Sequence, residues 1–128
     1  MKNICQKRSK QRTGRFGENL AVNFLTENNY SIIDTNFYTR FGEIDIIAKE
    51  KATNQLIFIE VKTRLNTQYG LPEESVGRSK IKRLQKTAHC FCEYNDINDE
   101  NYRFDVISVL VNKNKGTALI RHIKSVGL

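Results

Sequence analysis

Two carboxylates and one lysine stand in the sequence where they could together hold a divalent metal ion. Asp45 lies in Gly-Glu-Ile-Asp-Ile-Ile-Ala at residues 42–48, whereas Glu60 and Lys62 lie in Ile-Phe-Ile-Glu-Val-Lys at residues 57–62. Carboxylate oxygens are the ligands that hard divalent cations such as Mg²⁺ prefer. Both segments are rich in Ile, Val and Phe, which is typical of β-strands.

Strand periodicity predicts which of these side chains lie together. Because residues two apart share a face of a strand, Asp45 points to the side of Glu43 and Ile47, and Glu60 points to the side of Lys62. The opposite face of the first strand then carries Ile44, Ile46 and Ala48. The opposite face of the second strand carries Ile57, Ile59, Val61 and Thr63.

A hairpin closed by residues 50–55 would bring the two acids together. If Lys49 pairs with Leu56, then Asp45 lies opposite Glu60 and Ile47 lies opposite Phe58. Two carboxylates about 5 Å apart repel each other by about 3 kcal/mol at an effective dielectric constant of about 20. Lys62 supplies one compensating positive charge, and a divalent cation with oxygen ligands would supply more. The pattern therefore favours a metal site.

An alternative interpretation places the same charges on the solvent face of an antiparallel sheet. Asp45 and Glu60 would then form ordinary cross-strand ion pairs with Lys62 and Arg64. The nearly continuous apolar runs around the acids argue against it, because such runs are typical of strands that are covered on both faces. Charges buried in such strands need a compensating partner.

The rest of the chain predicts the elements that must position these residues. Apolar residues at helical spacing predict two helices, and runs of β-branched and aromatic residues predict five strands. The helices are predicted over residues 15–28 and 73–94, and the strands over residues 30–37, 41–49, 56–64, 103–111 and 117–123. The predicted order is α-β-β-β-α-β-β, with a loop over residues 65–72.

Composition predicts a single intracellular domain. The 128 residues contain 39% hydrophobic residues and one proline, enough for one core over residues 14–128 preceded by a flexible basic arm at residues 1–13. No segment approaches the roughly 20 apolar residues of a membrane span, and the N-terminus lacks the apolar stretch of a secretory signal. Three cysteines do not make a disulfide framework. We therefore expect a cytoplasmic protein without a membrane partner.

A net charge of +7 predicts an anionic partner, with nucleic acid first among the candidates. The basic residues form two groups, one before the first acid and one in the second predicted helix. The first group is Lys2, Lys7, Arg8, Lys10, Arg12 and Arg15, and the second is Arg78, Lys80, Lys82, Arg83 and Lys86. A mobile basic tail and a solvated helix face would explain the same pattern, so charge alone leaves the partner open.

The motifs together resemble the YraN family, also called UPF0102. They occur in the same order and at similar spacing over residues 14–111. The matching blocks are Gly17-Glu18 with Ala21, residues 42–48, residues 58–64, Gly70 with Pro72, Lys80, and Arg103-Phe104-Asp105-Val106. The resemblance implies a restriction-endonuclease-like core, a mixed sheet flanked by helices, similar to archaeal Holliday junction resolvases and other nucleases with a D…ExK pattern.

The resemblance also implies roles for individual residues. By the D…ExK pattern, Asp45 and Glu60 would bind one or two Mg²⁺ or Mn²⁺ ions with the carbonyl of Val61, and Glu18 would complete the site. Lys62 would position or activate the attacking water. Lys80 matches a family position and would approach the scissile strand. Further candidates for contacts with nucleic acid are Lys82, Arg83, Lys86, Arg64 and Arg15.

These expectations describe a metal-dependent endonuclease acting on DNA, such as branched or recombination intermediates. A module that binds DNA or RNA without turnover is the alternative, and a basic structural protein with solvated ion pairs is a third. Proteins of resolvase-like fold often dimerise, so a homodimer is expected. We expect Asp105 to be the structural partner of a basic residue and assign His122 no role.

Overall fold

The computed structural model describes residues 5–7, 12–65, 77–98 and 101–126. Together these residues form six strands and two helices. Their bounds are β1 (Cys5–Lys7), α1 (Arg12–Glu27), β2 (Tyr30–Thr39), β3 (Gly42–Glu50), β4 (Gln55–Leu65), α2 (Arg78–Tyr94), β5 (Arg103–Asn112) and β6 (Thr117–Ile123). The predicted order α-β-β-β-α-β-β is confirmed from α1 to β6.

The strand β1 was not predicted. It lies within the segment that was expected to be a flexible arm. It pairs antiparallel with the end of β2, and in this register Cys5 pairs with Thr39. The helix α1 begins at Arg12, three residues earlier than predicted. The first residues predicted for α2, 73–76, lie outside the described part of the chain.

The sheet is mixed, as predicted, and agrees with a restriction-endonuclease-like core. Its strands follow chain order from β1 to β6, and all neighbours are antiparallel except β4 and β5. Parallel neighbours need a crossover connection, and α2 lies in the connection between β4 and β5. None of the helices described is long and apolar enough to cross a membrane.

The two helices cover opposite faces of the sheet, which explains the apolar runs on both sides of β3 and β4. One core cluster joins α1 to the sheet, and its members include Ala21, Leu25, Ile46, Ala48, Ile57 and Ile59. The other joins α2 to the opposite face, and its members include Ile81, Leu84, Phe91, Ile47, Leu56 and Phe58. The predicted faces of β4 are confirmed by this division.

The predicted register of the β3–β4 hairpin is also confirmed. Lys49 pairs with Leu56, and Ile47 pairs with Phe58. The pairing extends to Ile46 and Ile59 and ends there. The next position along the hairpin is that of Asp45 and Glu60, so both acids lie where the two strands begin to separate.

The strict alternation predicted for β3 is wrong at Ile44. This residue packs in the cluster beneath α2, whereas Ile46, two residues later, packs beneath α1. On the neighbouring strand β2, Asn36 has a φ of 55°, a left-handed conformation that asparagine tolerates better than most residues. Asn36 lies between the paired residues Thr35–Ile46 and Phe37–Ile44 and therefore faces Asp45. A left-handed residue inside a strand changes the direction of the following side chains.

A glycine allows α1 to approach β4 closely. A Cβ atom at Gly17 would collide with Oγ1 of Thr63 on β4. Close approach at this point also buries the neighbouring residue Glu18, which is 5% exposed.

Candidate metal centre

Asp45 and Glu60 line the same cavity, which has a volume of about 170 Å³. The cavity lies where β3 and β4 separate, and the first turns of α2 form its other wall. Its lining residues are Gly42, Glu43, Asp45, Glu60, Lys80, Arg83 and Leu84. The two strands and one helix therefore bring three acids and two basic residues around one small space.

Asp45 is almost completely buried, with 3% of its surface exposed. Its Oδ2 atom accepts a hydrogen bond of 2.7 Å from the backbone N–H of Val61. Because the backbone pairing of β3 and β4 has ended at Ile46 and Ile59, this carboxylate satisfies a donor that β3 no longer meets with its own backbone. The hydrogen bond fixes the carboxylate between the strands, next to the residue that follows Glu60.

Two lysines neutralise the second acid. The side chain of Glu60 is 10% exposed, and its Oε2 atom lies 2.8 Å from Nζ of Lys80 and 3.7 Å from Nζ of Lys62. Lys62 belongs to the same strand, whereas Lys80 reaches across from α2. A carboxylate this far from water needs positive charge nearby, and the lysine from α2 supplies the closest one.

The surroundings of Lys62 lower the pKa of its ammonium group below the usual value. Partial burial is the main cause, and repulsion by the positive charge of Lys80 acts in the same direction, against the attraction of Glu60. A lysine with a lowered pKa loses its proton more readily. This is the property expected of a group that accepts a proton from water.

Glu18 does not line the cavity. It is buried on α1, which packs mainly against β4 and β2. Within the described ranges, no three His, Cys, Asp or Glu side chains are grouped closely enough to hold a metal ion. Glu18 and the carbonyl of Val61 therefore stay predicted ligands, while the structure places Asp45 and Glu60 on one cavity and Lys62 beside Glu60.

The basic residues predicted to contact nucleic acid fall into two groups. Lys82, Arg83 and Lys86 are exposed on α2, and Arg83 also lines the cavity. Lys80 instead forms an ion pair with Glu60 and therefore belongs to the cavity that holds the acids. Arg15 on α1 and Arg64 near the end of β4 are exposed.

A second set of polar residues lies on β5 and β6. The expectation that Asp105 is a structural partner is confirmed, because its carboxylate accepts hydrogen bonds from Nε and Nη2 of Arg103 at 2.8 and 2.9 Å. Burial alone would raise the pKa of Asp105, but hydrogen bonds with His122 and Arg103 and from the N–H of Ser125 lower it below its usual value.

Sequence reasoning missed the role of His122. Its Nε2 atom lies 2.7 Å from Oδ2 of Asp105, and its ring packs against Phe24 and Tyr30. No local motif marks this histidine, because its partner lies 17 residues away along the chain. The antiparallel pairing of β5 with β6 brings the two together.

Comparisons with known proteins agree with the motif order. A model of the uncharacterised protein family UPF0102 matches residues 17–109. A UPF0102 protein of Caldicellulosiruptor bescii is 46% identical over 89% of this chain and 95% of its own. Those of Clostridium beijerinckii and Persephonella marina are 46% and 42% identical, covering 87% and 88% of this chain and 89% and 90% of theirs. The chain belongs to the uncharacterised protein family UPF0102.

Proposed function

We propose that this protein is a divalent-metal-dependent nuclease that hydrolyses phosphodiester bonds in DNA. One observation carries the proposal: two nearly buried carboxylates, Asp45 and Glu60, line one small cavity whose wall includes the cations Lys80 and Arg83. A small cleft on which several charged side chains converge is typical of a functional site. Acids repel a phosphate unless a cation lies between them. A site with acids beside basic residues therefore suits a metal ion together with a phosphate better than it suits a phosphate alone.

The residues present fit a hard divalent cation. Carboxylate oxygens are suitable donors for Mg²⁺ or Mn²⁺, and Asp45 and Glu60 would hold such an ion. The ammonium group of Lys80 already occupies a position 2.8 Å from Glu60, which supports a requirement for positive charge at this carboxylate. A bound Mg²⁺ would make water more acidic and stabilise negative charge on the phosphate.

The chain's own residues would perform the remaining tasks. Lys62, whose pKa is lowered, would orient the attacking water and accept its proton at Nζ. Arg83 is exposed and lines the cavity, so its guanidinium would bind a non-bridging oxygen of the phosphate. Lys82 and Lys86 would contact neighbouring phosphates and fix the strand along α2.

A cleavage assay tests the proposal. The full chain is incubated with labelled single-stranded, duplex, flapped and four-way-junction DNA, and with RNA, in Mg²⁺, Mn²⁺ or EDTA. We expect cleavage of at least one DNA substrate in either metal and none in EDTA. Binding is measured in the same samples by fluorescence anisotropy, so that substrates which bind without being cut are recognised. An absence of cleavage on every substrate would contradict the proposal.

A second candidate is a nucleic-acid-binding module on a nuclease scaffold, acting on DNA or RNA without turnover. The ion pair between Lys80 and Glu60 favours it, because a lysine can satisfy this carboxylate without any metal. The assay separates the two candidates: binding of all substrates without cleavage would support the module.

Replacing Lys80 with methionine is expected to tighten Mn²⁺ binding. The ammonium 2.8 Å from Oε2 of Glu60 must move before a metal can approach that oxygen, and removing a unit charge at this range changes affinity by about tenfold. Isothermal titration calorimetry measures the effect without any need for turnover. Lys82→Met is the matched control, because Lys82 is exposed on the same helix and its loss changes the net charge equally. Equal affinities of the two variants would show that Lys80 does not compete with the metal.

A further inference from the structure

The turn between β2 and β3 presents an aromatic ring flanked by two cations. Arg40 and Phe41 form this turn, directly before the cavity residue Gly42. The guanidinium carbon of Arg40 lies 5.0 Å from the centre of the Phe41 ring, and Nζ of Lys86 on α2 lies 5.4 Å from it. Arg40 and Lys86 are exposed, and the ring is partly exposed. We call these three residues the turn platform.

Buried hydrogen bonds fix the turn platform to α2. The backbone N–H of Phe41 donates to Oγ1 of Thr39 at 3.0 Å, and that hydroxyl lies 3.4 Å from Oγ1 of Thr87 on α2. Both threonines are buried, and Thr87 in turn donates to the carbonyl of Arg83 at 2.8 Å. The backbone of the turn that carries the ring is therefore held against α2 before any ligand arrives.

Gly42 holds the turn platform next to the cavity. Its φ of 154° lies outside the range that other residues readily adopt, so the chain can turn here from the exposed ring into β3. Gly42 and Arg83 both line the cavity, and a Cβ at Gly42 would lie 3.9 Å from Cβ of Arg83. The ring therefore lies next to the acidic cavity: Phe41 directly precedes Gly42, and Lys86 lies one helical turn after Arg83.

An aromatic ring between cations suits one kind of ligand, a nucleotide whose base is unpaired. The face of a base stacks on an aromatic or guanidinium plane, which contributes about 5- to 150-fold in affinity for each base. Arg40 and Lys86, which lie over the ring, would turn to bind the phosphates on either side of that base and leave the ring to stack on it. In an uninterrupted duplex the faces of each base are covered by the neighbouring base pairs. The ring cannot stack on them and adds no affinity for such a substrate.

We infer that the turn platform stacks an unpaired base beside the phosphodiester held at Asp45 and Glu60. The preferred substrate is then DNA with single-stranded nucleotides at the cleavage site, as in single strands, flaps and branches, rather than continuous duplex. The position of the phosphodiester in this inference rests on the proposed function, but stacking itself requires no turnover. The inference can therefore be tested by binding alone.

The test compares Phe41→Leu, which keeps an apolar side chain but removes the ring, with Phe41→Tyr, which keeps the ring. Affinities for a labelled single-stranded DNA and for a duplex of the same sequence are measured by fluorescence anisotropy in EDTA. We expect Phe41→Leu to weaken single-strand binding at least about fivefold and to leave duplex binding within about twofold. Phe41→Tyr should bind both as wild type does. Tyr94→Leu, which removes an exposed aromatic ring at the other end of α2, should also change neither affinity.

Two outcomes would overturn the inference: unchanged single-strand binding by Phe41→Leu, or an equal loss for single strand and duplex. Thermal unfolding of each variant identifies a loss that comes from misfolding, and Phe41→Tyr then decides whether the ring or its volume matters. A selective loss in EDTA would support the turn platform even if the protein cleaves nothing. Conversely, metal-dependent cleavage together with no effect of Phe41→Leu on binding would support the nuclease proposal and contradict the role of the turn platform.

Discussion

Glu60→Ala is expected to reduce metal-dependent cleavage at least about 10³-fold, because it removes one of the two carboxylates that we propose as metal ligands. Nucleic-acid binding should be unchanged or tighter. The reason is electrostatic: Lys62 and Lys80 both lie within ion-pair distance of Glu60, and without it their charges are available to phosphates. Loss of cleavage with retained binding separates a catalytic carboxylate from one that only supports the fold.

Single-turnover cleavage and anisotropy on the same preparations measure both effects. Glu93→Ala is the matched control, because Glu93 is an exposed acid on α2 that does not line the cavity. It changes the net charge equally and should leave cleavage within about twofold of wild type. Cleavage by Glu60→Ala at the wild-type rate would contradict the assignment of the cavity as the metal centre.

The sequence was sufficient to predict β3, β4 and their register, because these depend on local signals. Runs of β-branched and aromatic residues mark the two strands, and the short connection between them fixes which residues pair. The pairing of Ile47 with Phe58 follows directly from these rules. The proximity of Asp45 and Glu60 was therefore predictable from the strand pattern alone.

Two features of the site depend on contacts that local rules do not describe. The left-handed Asn36 lies between the residue pairs that flank Asp45, and strand periodicity does not predict that this asparagine leaves the extended conformation. The family resemblance placed Lys80 near the scissile strand, as a contact for nucleic acid. Its true partner, Glu60, depends on how closely α2 packs over the ends of β3 and β4, which periodicity does not specify.

The largest effect on stability is expected from Asp105→Ala. The carboxylate is 1% exposed and interacts with two side chains, Arg103 and His122, as well as the N–H of Ser125. Its removal takes the closest acceptor from Arg103 and from His122, while Arg103 keeps an ion pair of 3.3 Å with Glu50. We therefore expect a loss of about 3 kcal/mol, the lower end of the cost of breaking a buried ion pair. For a domain of this size that corresponds to a fall in Tm of about 10 °C. Glu27→Ala, which removes an exposed acid on α1, should change Tm by less than about 2 °C.

The pH dependence of unfolding distinguishes the charge of Asp105 from the space it fills. Its pKa in the folded protein is below the unfolded value, so the stability it contributes is present above a pH of about 4 and is lost as pH falls through the folded value. The difference in unfolding free energy between wild type and Asp105→Asn should therefore shrink on acidification below that pH. A difference that stays constant there would assign the effect to packing. Because Asp105 pairs with Ile59, the residue before Glu60, this ionic network also supports the strand that carries Glu60. Asp105→Asn should accordingly cleave as wild type does at temperatures where it is folded, but stop at a lower temperature.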